Sequence, residues 1–126
     1  MSFATIFTSI VLTQAAPIAY VRPAPESDEV VYVDVAYGEI AQGRNQAAVA
    51  RILADRTLAD DPAALINLGT ASARMGDFDK AQTYFRAAMA SENRTNLQLA
   101  DGRWMDSRRA ARIALDSLSQ RSLAAR

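Results

Sequence analysis

Residues 65–90 constrain the fold of this chain more than any other segment, because they combine two helical patterns with one tight turn. In LINLGTASARMGDFDKAQTYFRAAMA, apolar side chains recur at intervals of three and four on both sides of Gly76, which is the spacing of a buried helix face. Pro62 can start the first helix, and Gly76 can adopt the left-handed conformation that ends it. Gly69 and Ala81 are small enough to let the two helices approach closely. The segment therefore predicts an antiparallel helix pair.

Seven residues of this segment recur at the spacing of a known helical repeat. They are Leu68, Gly69, Gly76, Phe78, Ala81, Phe85 and Ala88. On these residues the segment resembles the tetratricopeptide repeat, a helix–turn–helix unit of about 34 residues. A weaker copy lies 33 residues earlier, with Gly43 in the place of Gly76 and Asp55 in the place of an alanine.

A partial third copy follows in residues 96–118, where the returning helix is present and its partner helix is missing. Leu97 and Leu99 alternate as in a strand, and an Asp-Gly pair at 101–102 is typical of a hairpin turn. The final helix is predicted to begin at Asp106 or Ser107. Trp104 is expected to pack against the repeat core, as large aromatic side chains usually do. The whole chain resembles small exported bacterial tetratricopeptide-repeat proteins with an A-D-G-x-W-x-D-S-R segment.

The predicted fold class is all-α: a short tetratricopeptide-type α-solenoid of about two and a half helix–turn–helix units. A C-terminal capping helix and a small β-hairpin or strand pair would complete it. Because repeats bury their faces only against neighbours, the first repeat needs a cover. That cover is either Val30–Val33 pairing with Leu97–Leu99 or a second copy of the protein. The predicted divisions are a signal peptide at 1–19, a linker at 20–29, the helical domain at 30–120 and a flexible tail at 121–126.

The N-terminal segment predicts export to the periplasm. It has no charged side chain before Arg22, an apolar run from Phe3 to Leu12, and small residues that fit signal-peptide cleavage between Ala15 and Ala19. The run is shorter than the roughly 20 apolar residues of a membrane-spanning helix. Because signal peptides usually open with Lys or Arg, an N-terminal membrane anchor and a cytosolic apolar arm remain as alternatives.

Composition argues against several classes of function. The chain has no His and no Cys, which excludes a Ser-His-Asp triad, a thiol nucleophile and the usual zinc sites built from this chain alone. Lys plus Arg and Asp plus Glu are both 14, and a general polyanion binder would carry a positive excess. We therefore expect no enzyme activity, no cofactor, no metal, no nucleic-acid partner and no small-molecule substrate.

The family resemblance implies that a peptide binds along the first helix of a repeat. The residues expected to line this peptide-binding groove are Ala63, Ile66, Asn67, Thr70 and Arg74. The amide of Asn67 can donate to and accept from a peptide backbone, and Arg74 can meet a carboxylate. The alternative is that Asn67 satisfies a neighbouring loop and Arg74 is a solvated charge at a helix end.

A second candidate surface is basic. Arginines outnumber acidic residues after Thr95, and the patch expected to receive an acidic partner is Arg103, Arg108, Arg109 and Arg112. Such a patch suits an acidic segment, a phosphate or a lipid headgroup, or it is merely the solvated face of an amphipathic helix.

Together these features predict a non-enzymatic adaptor in the bacterial envelope that binds a protein or peptide. The alternative is a self-associating structural module that works as a homodimer through uncovered repeat edges.

Overall fold

A computed structural model describes residues 18–23, 30–33 and 35–124 of the chain. This part is mostly helical, as predicted. Its helices are α1 (Tyr37–Ala41), α2 (Asn45–Ala54), α3 (Pro62–Arg74), α4 (Phe78–Ala90) and α5 (Ser107–Ala124), with a 3₁₀ turn at Arg56–Leu58.

The predicted helix pair is confirmed as α3 and α4. The side chain of Asp61 accepts a hydrogen bond from the N–H of Ala64 at 3.0 Å, which caps α3. Gly76 has a φ of 83° and ends α3 in the left-handed conformation. Asp77 then caps α4 by accepting from the N–H of Lys80 at 3.1 Å. Local capping chemistry thus fixes both ends of the turn.

Gly69 of α3 packs directly against Phe85 of α4. A Cβ atom placed on Gly69 would lie 2.6 Å from Cδ1 and 2.9 Å from Cζ of Phe85. The Phe85 side chain is almost fully buried, so its ring occupies the space that any larger residue would need. The predicted requirement for a small residue here is confirmed.

Four strands form one antiparallel sheet: β1 (Ile18–Pro23), β2 (Val30–Val33), β3 (Asn96–Leu99) and β4 (Trp104–Asp106). The strand order is β2-β1-β3-β4. The expected direct pairing of Val30–Val33 with Leu97–Leu99 is therefore wrong, because β1 lies between them and pairs with both. The prolines and charges around β1 indicated a linker, whereas its backbone pairs with two strands.

β1 also bears on the predicted domain boundaries. It covers residues 18–19 of the predicted signal peptide and residues 20–23 of the predicted linker. Residues 1–17 lie outside the described part of the chain, so export and cleavage stay predictions. At the other end, α5 continues to Ala124, past the predicted domain end at residue 120.

The final helix begins at Ser107, one of the two predicted starts. Its buried face packs on α4 and α3 and consists of Ser107, Ala110, Ala111, Ala114 and Leu118. Trp104, by contrast, does not pack in the core, and 52% of its surface is exposed. It pairs with Gln98 across the hairpin while Met105 pairs with the buried Leu97. Since successive strand residues point to opposite faces, Trp104 lies on the outer face of the sheet.

Candidate functional site

The α3 face that was expected to bind a peptide packs largely against other parts of the chain. Asn67 is 0% exposed, and its Nδ2 donates a hydrogen bond to the carbonyl oxygen of Val35 at 2.8 Å. Arg74 Nη1 donates to the carbonyl oxygen of Ile40 at 2.7 Å. Both side chains therefore hold the segment around α1 against α3. This corrects the expected peptide-facing role of Asn67 and confirms the alternative that it satisfies a neighbouring loop.

Arg74 also differs from a solvated helix-end charge. Burial lowers the pKa of Arg74 below its usual range, and the neighbouring charge of Arg121 lowers it further. The hydrogen bond to Ile40 compensates part of this desolvation. Arg74 therefore has a structural role, because its hydrogen bond joins α3 to α1.

An open cleft of about 330 Å³ lies between the β3–β4 hairpin, α3 and α5. We call it the hairpin cleft. Its floor is formed by Ile66, Thr70, Leu99, Met105, Ala110 and Ala114, and its rim by Asp101, Arg103, Arg109, Ile113 and Ser117. The floor is mainly apolar, whereas charged side chains stand at the mouth.

The hairpin cleft joins parts of the two sites expected from the sequence. Ile66 and Thr70 come from the predicted groove on α3, and Arg103 and Arg109 come from the predicted basic patch. Two residues of each predicted set therefore line the same cleft. Their remaining residues lie elsewhere.

Some of the predicted site residues do not line the hairpin cleft. Ala63 is fully buried in the core. Arg108 Nη2 lies 3.5 Å from the carbonyl oxygen of Ser91, and Arg112 is exposed and does not line the cleft. The predicted basic patch is therefore divided: Arg103 and Arg109 line the cleft, and Arg108 and Arg112 lie outside it.

The two arginines on the rim differ in their electrostatic surroundings. Arg103 Nε donates to Asp101 Oδ2 at 2.7 Å, and the backbone N–H of Arg103 donates to Asp101 Oδ1 at 3.0 Å. These two hydrogen bonds lower the pKa of Asp101 below its usual range, so the carboxylate stays charged. Arg109 is exposed and forms no ion pair within the described residues. The rim thus carries an excess of positive charge.

Hydrogen bonds and an ion pair close the base of the hairpin, where β4 leads into α5. Ser107 N–H donates to the carbonyl oxygen of Thr95 at 2.8 Å, and Thr95 N–H donates to Ser107 Oγ at 3.2 Å. Arg94 binds both carboxylate oxygens of Asp106, at 2.9 and 3.0 Å. This pair lowers the pKa of Asp106 below its usual range. These contacts join the two ends of the hairpin at the start of α5.

Sequence reasoning missed Leu99, Met105 and Ile113 as cleft residues. Hairpin alternation contained part of the signal, because Leu99 and Met105 lie on the same face as the buried Leu97. Ile113 follows Arg109 by one helical turn and is 45% exposed. The available signal in the sequence was an isoleucine that lies outside the buried face predicted for the final helix.

Among the described residues, no group of three or more acidic side chains is placed to hold a metal ion. In the same part of the chain, no helix has the length and apolarity needed to cross a membrane. Comparisons with protein-family models, curated proteins and solved structures found no match. The tetratricopeptide resemblance therefore stays a prediction from residue spacing.

Proposed function

We propose that this protein is a non-enzymatic adaptor that binds a segment of another protein in the hairpin cleft. The observation that carries the proposal is the cleft itself, which has a mainly apolar floor, a cationic rim and walls from α3, α5 and the β3–β4 hairpin. Its volume of about 330 Å³ lies at the small end of ligand pockets, which span roughly 300–1,000 Å³. That size suits one or two side chains of a protein partner.

The proposal includes a tetratricopeptide-type architecture and a place in the bacterial envelope. The architecture is supported by the α3–α4 pair, with Gly69 against Phe85 and the left-handed Gly76 in the turn. The envelope location rests on the signal-like sequence of residues 1–19.

Introducing a charge into the cleft is expected to abolish partner capture. Ile113→Glu places a carboxylate beside an apolar floor, which disfavours burial of a partner side chain. The measurement is capture from the envelope fraction of the source cells by the full chain with a C-terminal tag, followed by mass spectrometry. We expect a protein retained by wild type and reduced at least tenfold with Ile113→Glu.

Leu53→Glu is the matched control, because Leu53 is a similarly exposed apolar residue at 57% and lies on α2, away from the cleft. It should capture the partner as wild type does. Equal capture by Ile113→Glu and wild type would contradict the proposed site.

Self-association is the second candidate, and the outer edge of the sheet favours it. β4 is an edge strand that carries the exposed Trp104, and unpaired strand edges can pair with another chain. A dimeric mass in solution that becomes monomeric with Trp104→Lys would support this function instead of the adaptor.

A further inference from the structure

Resting on the proposed function, we infer that the occupant of the hairpin cleft is an acidic peptide segment in which an aliphatic side chain adjoins a carboxylate. The aliphatic side chain enters the floor, and the carboxylate binds Arg109. Three features point to this occupant: the apolar floor, the rim charge and the lack of an aromatic residue among the described side chains that line the cleft.

The floor selects an aliphatic side chain. Ile66 at its base is 1% exposed, and Ala110 and Ala114 on the α5 side leave room because their side chains are small. Leu99 and Met105 close the hairpin side. Burying an aliphatic group against these side chains removes apolar surface from water, which is favourable.

The rim selects a negative charge next to that side chain. Arg109 is exposed without an ion-pair partner in the described part of the chain, so its guanidinium is available to an incoming carboxylate. Arg103 is oriented by Asp101 through its Nε, which leaves its terminal amino groups for a second contact. Positive charge thus stands directly at the mouth of the apolar floor.

The surroundings disfavour a nucleic acid as the source of the negative charge. Base binding needs an aromatic platform beside the basic residues. Trp104 lies on the opposite face of β4 from Met105, which lines the cleft. A peptide supplies both the aliphatic group and the carboxylate within adjacent residues.

The test is a selection of random seven-residue peptides displayed on phage against the immobilised full chain. We expect enrichment of sequences with Glu or Asp next to Leu, Ile, Val or Met, and loss of that enrichment with Arg109→Gln. The best selected peptide should bind Arg109→Gln about fivefold more weakly than wild type, which is the upper range for an exposed ion pair. Its binding should also weaken as salt increases.

Arg86→Gln is the control variant, because Arg86 is an exposed arginine on α4 outside the cleft. It should keep wild-type affinity. Enrichment of neutral or basic peptides, or no enrichment at all, would overturn the inference.

The peptide selection and the Ile113→Glu capture experiment can fail independently. If Ile113→Glu loses the captured partner while the selection returns neutral peptides, the cleft binds proteins and the acidic occupant is wrong. If Ile113→Glu captures the partner as well as wild type does, the partner does not bind in the hairpin cleft and the proposed function is wrong.

Discussion

Replacing Gly69 with alanine is expected to lower the free energy of unfolding by about 3 kcal/mol. In an ordinary helix interior the same change stabilises by up to about 1 kcal/mol, because alanine has the higher helix propensity. Here the added Cβ would lie 2.6 Å from Cδ1 of Phe85, and the buried ring has little room to move. Steric overlap therefore outweighs propensity. Urea unfolding followed by circular dichroism measures the change.

Gly38→Ala is the matched control for this prediction, because Gly38 is also helical and a Cβ there meets no atom within 4 Å. It should leave stability unchanged or slightly increased. A double variant, Gly69→Ala with Phe85→Leu, should lose less stability than the sum of the two single changes. If Gly69→Ala behaves like Gly38→Ala, the close approach of α3 and α4 is wrong.

Replacing Asn67 with alanine is expected to cost about 3 kcal/mol of unfolding free energy. The substitution removes the hydrogen bond that Asn67 donates to the carbonyl oxygen of Val35 at 2.8 Å. Leaving that buried oxygen without a donor costs about 1–3 kcal/mol. The cavity left by a side chain that is 0% exposed adds to it. Urea unfolding again gives the measurement.

The control for Asn67→Ala is Gln46→Ala, which shortens an exposed amide side chain on α2 and should change stability by no more than about 0.5 kcal/mol. The two roles considered for Asn67 give opposite results. A structural asparagine costs stability when removed, whereas a peptide-facing asparagine would cost partner binding and leave stability intact. The second result would contradict the arrangement around Val35.

The helix pair could be predicted because its determinants are local in sequence. Asp61, Gly76 and Asp77 set the ends of α3 and α4 through caps and a left-handed turn. The small Gly69 opposite Phe85 set their separation. Each of these signals depends on a few neighbouring residues or on one repeat spacing.

The sheet order and the candidate site depend on contacts between distant segments, which residue spacing does not encode. β1 lies between β2 and β3, and its pairing with β3 brings together residues about 80 positions apart along the chain, such as Ile18 and Leu99. α5 lies beside α3 as well as α4, and this placement converts an expected open groove into a core with a cleft at one side. Asn67 and Arg74 were consequently assigned to a ligand when their partners are Val35 and Ile40.

Site-specific photocrosslinking can show directly whether a partner binds in the hairpin cleft. The chain has no cysteine, so Ile113→Cys and Leu53→Cys each give one attachment point for a cysteine-reactive benzophenone. We predict that, in the envelope fraction, the label at Ile113 crosslinks the captured protein and the label at Leu53 does not. Crosslinking of equal yield from both positions, or crosslinking from Ile113 only to a second copy of the chain, would refute the binding of another protein in the hairpin cleft.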